Sequence, residues 1–185
     1  HYMQDDSFTS EVIDGDPHTY NQNAAGLETR AQAKTFIYAL LYGAGAAKIG
    51  SIINGSSRKG KETQDKFLRN VPKLGKLINA VQKKANRGYI RGIDGRKLWI
   101  RQTRAALNTL LQGGGAVVCK QWSIILYDEI QRRNLDAHLV NTIHDEQQYE
   151  VSKEHAEELM EIADTTMLET GEFFDMRLPL NADAK

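Results

Sequence analysis

Cysteine is almost absent: Cys119 is the single one in 185 residues. An internal disulfide framework and a cysteine-based zinc site are therefore excluded. Only three prolines occur, and no stretch rich in Pro, Gly and Ser marks a linker. No apolar run approaches the roughly 20 residues of a membrane-spanning helix, so no membrane partner is expected. The opening residues, HYMQDDSFTSE, are polar and acidic and lack the basic start and apolar middle of a secretory signal. Nothing points to secretion. The chain begins at His1 rather than Met, which reads as a chain processed or cut from something longer. What remains is 41% hydrophobic and 26% charged. That is the composition of one globular domain or of part of a larger one.

Net charge is zero, which on its face argues against a polyanionic partner. The distribution says otherwise. Residues 1–29 hold six acids and no Lys or Arg, a balance of −6. Residues 30–104 hold 18 Lys and Arg against three acids (Glu62, Asp65, Asp94), a balance of +15. Residues 105–185 hold six Lys and Arg against 15 acids, a balance of −9. A basic block of that size usually faces a polyanion; a solvated basic face balancing its acidic flanks is the competing reading.

Asp16-Pro17 reads as an N-cap followed by Pro at the first helical position, and Gly26 as the end of that short helix. Thr29 and Gln32 have capping-box spacing, starting a second helix at Arg30 that runs to Tyr42 and stops at Gly43. Residues 44–87 read as further helices broken near Gly55 and Pro72. GYIRGIDGRKLWI, residues 88–100, reads as a β-hairpin turning at Asp94-Gly95. Residues 104–133 read as one long helix in spite of Gly113-Gly114-Gly115. Each glycine there costs roughly 1 kcal/mol relative to Ala. The run implies a close approach to the backbone, either by a ligand or by another helix. Residues 137–151 read as two strands around His144-Asp145. Residues 152–170 read as an amphipathic helix with Ser152 as N-cap and Ala156, Leu159, Met160, Ala163 and Met167 on its apolar face, closed by Gly171. DMRLPLN, residues 175–181, reads as one more strand. The order gives an α+β fold with helices dominating the first half.

Three constellations could carry chemistry. Arg30, Lys34 and Tyr38 are spaced by four and fall within about 80° of helical arc, so they share a face. Two cations near a helix N-terminus suit a triphosphate, and an aromatic ring one turn on suits a base or sugar. His18, in the first turn of the preceding helix, could add a phosphate contact. Second, a tight turn at His144-Asp145 projects a carboxylate in a fixed direction, and hard ions such as Mg²⁺ take carboxylate oxygens. Two-metal phosphoryl transfer needs a second carboxylate beside it. Third, Arg104, Asn108 and Gln112 make a polar stripe able to touch phosphates and base edges. Taken singly, each also reads as an exposed stripe or a hydrogen-bonded turn.

In combination, RAQAKTFIYALLYGAGAAKIG, DGRKLWIR, AALNTLLQGGGA and IHDEQ resemble the polymerase domain of family A DNA polymerases, most closely the bacteriophage replicative type. The resemblance covers essentially the whole chain. Single-subunit RNA polymerases share the Lys and Tyr-Gly helix but typically carry Ser after the His-Asp pair; Glu146 favours the DNA enzymes. The resemblance implies a helix-rich fingers subdomain at about 14–87 and part of an antiparallel-sheet palm at about 88–185 of a right-hand polymerase. It implies a DNA-directed DNA polymerase that adds dNTPs to a primer 3′ end, in the cytoplasm of an infected bacterial host. Arg30, Lys34 and His18 would contact the triphosphate, and Lys34 would also stabilise the leaving pyrophosphate. Tyr38 would lie against the sugar and permit dideoxynucleotides. Tyr42 and Gly43 would border the templating base. Arg104, Asn108 and Gln112 would hold primer–template, and His144 would approach the primer terminus. Asp145 would bind Mg²⁺ in a two-ion site, with Glu146 in an outer role. The implied partners are primer–template DNA, dNTP, and a processivity factor or the missing polymerase half.

One departure counts against a self-sufficient enzyme. The family's other metal-binding Asp lies in a D-x-S-x-x-E-x-R strand motif, and that motif is not in this chain. The thumb and any exonuclease domain are missing too, and the chain stops short of the family's usual C-terminus. The fragment alone is therefore expected to be inactive. A non-catalytic half or remnant that grips primer–template stays open, as does an unrelated basic helical nucleic-acid-binding protein.

Overall fold

A computed structural model describes residues 1–184. Its elements are α1 (Asp6–Ile13), α2 (Pro17–Ala25), α3 (Arg30–Leu41), α4 (Ala46–Ile52), α5 (Ser57–Asn70), α6 (Pro72–Ala85), β1 (Tyr89–Arg91), β2 (Lys97–Trp99), α7 (Ala106–Arg133), β3 (Ala137–Ile143), β4 (Glu146–Val151) and α8 (Ala156–Phe173). A 3₁₀ turn at Thr103–Ala105 leads into α7. The two sheets are antiparallel pairs, β1 with β2 and β3 with β4. The chain is α+β and helix-rich, as its sequence reads. Among the described residues no helix is long and apolar enough to cross a membrane.

Caps set the early helices. Asp16 accepts from the His18 N–H and caps α2, Pro17 follows at the first position, and Gly26 ends the helix at φ +69°. Thr29 accepts from the Gln32 N–H and caps α3. α1 is a helix that the sequence reading did not assign. Asp5 caps it, but it has no buried residue and so no apolar period to betray it.

The chain forms two compact units. One comprises His1–Arg91 and Lys97–Leu111, and the other Gly92–Arg96 and the residues from Gln112 onward. The first unit packs around Phe36 and Phe67, both fully buried, with ring centroids 5.2 Å apart in an edge-to-face pair. Leu40, Ile49, Val71, Ile90 and Leu107 close around them. α4 and α5 cross through glycines. A Cβ on Gly60 would stand 2.5 Å from the Gly50 nitrogen and 2.9 Å from its Cα, so bare backbone makes the crossing.

In the second unit Trp122, Leu126 and Ile130 of α7 pack on Ala137, Leu159 and Ile162. The Trp122 indole N–H donates to Ala163 O and Thr166 Oγ1, both at 3.1 Å. β3 and β4 pair from Ala137↔Val151 to Ile143↔Glu146, with a register shift between Leu139 and Asn141. Val140 is the extra residue of a bulge there.

Four readings near the C-terminus need correction. α8 begins at Ala156, not after Ser152; Ser152 O instead accepts the His155 N–H at 3.0 Å, a turn that delays the helix. Of the expected apolar face, Leu159 is buried and Ala163 and Met167 pack against the core, but Met160 is 42% exposed and Ile162, Thr166 and Thr170 are buried as well. Thr166 and Thr170 tolerate burial because their hydroxyls donate to the carbonyls of Ile162 and Thr166, at 2.6 and 2.7 Å. Gly171 sits inside α8, which continues to Phe173. Residues 175–181 form no strand. Pro179 offers no N–H to a ladder. Leu180 lies against Gly171 instead, and the Ala182 N–H donates to Asp164 at 3.0 Å.

Candidate functional site

The first group of candidate side chains stands on α2 and α3 of the first unit. Ala33, Phe36 and Leu40 are the buried residues of α3. Anchoring them in the core leaves Arg30, Lys34 and Tyr38 exposed together on the other side, as the spacing of four requires. Tyr38 is 49% exposed. The His18 ring, in the first turn of α2, lies 6.3 Å from that of Tyr38, centroid to centroid. Its Nδ1 is buried without a hydrogen-bond partner. The three residues expected at a triphosphate, Arg30, Lys34 and His18, and the Tyr38 expected at the sugar thus stand on two adjacent helices.

Asp16 is the residue of this site that the sequence reading missed. Its carboxylate takes Arg30 in a two-point ion pair, Nε–Oδ2 at 2.6 Å and a terminal guanidinium nitrogen to Oδ1 at 3.0 Å. It also accepts from the His18 N–H at 3.0 Å and the Thr19 hydroxyl at 2.7 Å. The Arg30 guanidinium, then the Thr19 hydroxyl, hold the Asp16 carboxyl far below the usual carboxylate range. Asp16 raises Arg30 in return. One carboxylate therefore caps α2 and fixes the direction of Arg30. Among the described residues Lys34 makes no ion pair. An anion arriving at this face finds one cation unpaired and one whose partner it must displace.

Tyr42 and Gly43 follow α3. The Tyr42 N–H donates to Tyr38 O at 2.9 Å, and Tyr42 is 54% exposed. Gly43 has φ +79°. A Cβ there would collide with the carbonyl oxygen of Arg104, whose carbonyl carbon lies 3.0 Å from that position. Glycine is needed for both the dihedral and the contact. The fold thus sets the Arg104 backbone against Gly43. The Arg104 side chain is exposed, with Nε donating to Gln102 at 3.1 Å. Asn108 is half-buried in α7, and Gln112 is exposed further along it.

The second unit holds His144, Asp145 and Glu146. Ile143 pairs with Glu146, so His144 and Asp145 form the whole turn. Such turns favour glycine or asparagine where φ is positive, yet His144 takes φ +57°. A non-glycine residue held this way costs of order 1–3 kcal/mol and often marks a functional turn. Asp145 is exposed. Burial first, and then the Asp145 charge, push the Cys119 thiol up. Glu146 accepts from Gln148 Nε2 at 2.8 Å. Gln147 braces the turn on α7, its amide donating to Ser123 Oγ at 2.9 Å while Tyr149 OH donates to Gln147 Oε1 at 2.9 Å. Burial pushes the Tyr149 phenol up to about 12, so it stays a hydrogen-bond donor at neutral pH. The sequence reading did not single out Gln147.

A metal fits this chain only incompletely. Among the described residues no three of His, Cys, Asp and Glu gather into a metal-binding group. Asp145 offers one carboxylate at the turn, and Glu146 is engaged by Gln148.

Residues 15–185 match the family model described as DNA polymerase family A. The DNA-directed DNA polymerase of Enterobacteria phage T3 is 38% identical over 96% of this chain, which spans 28% of that protein. That of Escherichia phage Phieco32 is 39% identical over 94% of the chain, spanning 30% of the relative. The chain thus corresponds to under a third of the length of these phage relatives. Among solved structures, the POL domain of Pol1 from M. smegmatis, in complex with DNA primer-template and dNTP, superposes with a TM-score of 0.83. It is 23% identical, covering 97% of this chain and 34% of that one, a likeness of fold.

Proposed function

This chain belongs to the family A DNA polymerases, and from that premise we propose that it supplies the nucleotide-binding fingers and part of the palm of a replicative DNA polymerase. The reaction is nucleotidyl transfer from a dNTP to a primer 3′ end, directed by a template, in the cytoplasm of a phage-infected host. The observation that carries this reading is the gathering of Arg30, Lys34 and Tyr38 on one exposed face, with the half-buried His18 ring beside Tyr38 and Arg30 aimed by Asp16. Arg30 and Lys34 meet the triphosphate at a helix start, where backbone N–H groups already favour an anion. Lys34 stabilises the charge that builds on the leaving pyrophosphate. Tyr38 lies against the sugar, and Tyr42 and Gly43 border the nascent pair. Arg104, Asn108 and Gln112 hold primer–template through phosphates and base edges.

Family A DNA polymerases generally use divalent metal ions. We assign Asp145 as one carboxylate for Mg²⁺, with His144 directed to the primer terminus and Glu146 in an outer role. The strained turn and the Gln147 brace hold Asp145 in place. One carboxylate does not make a two-ion site, so chemistry needs a second Asp from a segment outside these 185 residues. The segment alone binds and does not extend. The assignments predict that Lys34→Ala, in a polymerase carrying this segment, lowers the single-turnover incorporation rate about 10²–10³-fold, as loss of one transition-state charge contact does. Pre-steady-state incorporation kinetics measure it. A loss confined to DNA affinity would remove Lys34 from the triphosphate and undo the reading.

A further inference from the structure

The β1–β2 hairpin carries a surface that the triphosphate and metal assignments do not use. Its register pairs Tyr89 with Trp99, Ile90 with Leu98 and Arg91 with Lys97. Alternation sends Ile90 and Leu98 to one side and the other four residues to the opposite side. Ile90 is 3% exposed in the core of the first unit, so the second side is the outer one. Trp99 there is 71% exposed, more than any other large hydrophobic side chain among the described residues. A flat indole left in water is otherwise an aggregation liability.

Its surroundings are specific. The Tyr89 and Trp99 rings meet edge-to-face, with centroids 5.8 Å apart. The Arg87 guanidinium lies 4.8 Å and the Lys97 ammonium 4.9 Å from the centre of the Tyr89 ring. Arg101 follows two residues after Trp99. The one acid between residues 87 and 101 is Asp94, in the turn, and Arg96 takes its carboxylate through Nε and its own backbone N–H. The outer side thus presents one open aromatic ring among cations.

We propose that this hairpin is a stacking platform for single-stranded DNA. A base stacks on Trp99, Tyr89 braces that indole from the side, and Lys97, Arg87 and Arg101 receive the neighbouring phosphates. Every base offers a π-face and every nucleotide a phosphate, so aromatic rings interleaved with cations suit a single strand and carry little sequence preference. Duplex DNA keeps its bases stacked on each other and offers the ring nothing. An acidic peptide would use the cations and leave Trp99 idle. Resting on the polymerase reading above, the natural occupant is the unpaired stretch of a template, but the binding claim itself requires no catalysis.

The test is anisotropy of a short fluorescein-labelled oligo(dT) titrated with the whole chain, across a salt series. Trp99→Phe should bind within about threefold of the natural protein. Trp99→Ala should bind about tenfold or more weakly, the usual loss for one base–aromatic stack. Lys97→Gln should flatten the salt dependence. Trp99 lies outside the core, and circular dichroism of both variants checks that the fold persists. If Trp99→Ala binds oligo(dT) as the natural protein does, the proposal is wrong. It is equally wrong if polyglutamate displaces the oligonucleotide as well as unlabelled oligo(dT) does. Since no nucleotide is incorporated, a failed incorporation test at Lys34 would leave this result readable, and the reverse holds.

Discussion

Two glycines in helix interiors should respond to the same substitution with opposite sign. Gly→Ala inside a helix gains about 1 kcal/mol of propensity. At Gly115 in α7 nothing lies within 4 Å of the added Cβ, so that gain stands and Tm should rise by about 2–4 °C for a chain of this size. At Gly60 in α5 the added Cβ would sit 2.5 Å from the Gly50 nitrogen and closer still to the Ala46 carbonyl oxygen, where ordinary contact begins at 3.4 Å. These are backbone atoms of α4, so the helices must part by about 1 Å. Overpacking of this kind costs about 1–3 kcal/mol and occasionally more. Because the contacts are to backbone, the upper end applies and outweighs the propensity gain. Gly60→Ala should therefore lose about 1–2 kcal/mol net and lower Tm by about 2–8 °C. Thermal and urea melts followed by circular dichroism give both numbers. A Gly60→Ala protein as stable as the natural one would refute the glycine crossing of α4 and α5. A destabilised Gly115→Ala would refute the open space beside α7.

Asp16→Asn keeps an N-cap side chain on α2 but removes the charge that aims Arg30. It should change dNTP affinity while leaving thermal stability nearly unaltered, and Asp16→Ala should lose both; nucleotide titrations paired with melts separate them. His144→Gly relieves the positive φ and should stabilise the hairpin by about 1 kcal/mol, yet slow primer extension, because the turn no longer holds Asp145 in one direction. Arg132 and then Arg133 hold the Glu129 carboxyl down at about 2. Its folded pKa is depressed, so its contribution is present above the ordinary Glu value near 4.3 and is lost as pH falls from there toward about 2. Melts from pH 6 downward should show that slope, and Glu129→Gln should flatten it.

Much of this molecule is legible where the signal is local. Asp16-Pro17, Thr29 and Gly26 mark the ends of α2 and α3 within one turn because caps act over two or three residues. The spacing of four that gathers Arg30, Lys34 and Tyr38 is helix geometry, and both hairpins declare themselves by tight turns. What escaped is set by distant partners. Asp16 reaches Arg30 across 14 positions, and Gln147 reaches Ser123 across 24. On α8 the expected Leu159, Ala163 and Met167 do pack on the core, but that face also takes in Thr166 and Thr170, which satisfy their hydroxyls on the helix itself. Polar residues were thereby admitted to a core, and Met160 was displaced to the surface. The Leu178 and Leu180 alternation imitated a strand, but Pro179 and the groove beside Gly171 gave that segment another place to lie.

The central claim is that this segment brings one catalytic carboxylate and a triphosphate site to an enzyme that extends primers. It is tested most directly by measuring Mg²⁺-dependent primer extension and primer–template affinity together for Asp145→Ala in a polymerase carrying this segment. The account predicts extension abolished with affinity retained within a few-fold. Near-normal extension by Asp145→Ala would contradict it.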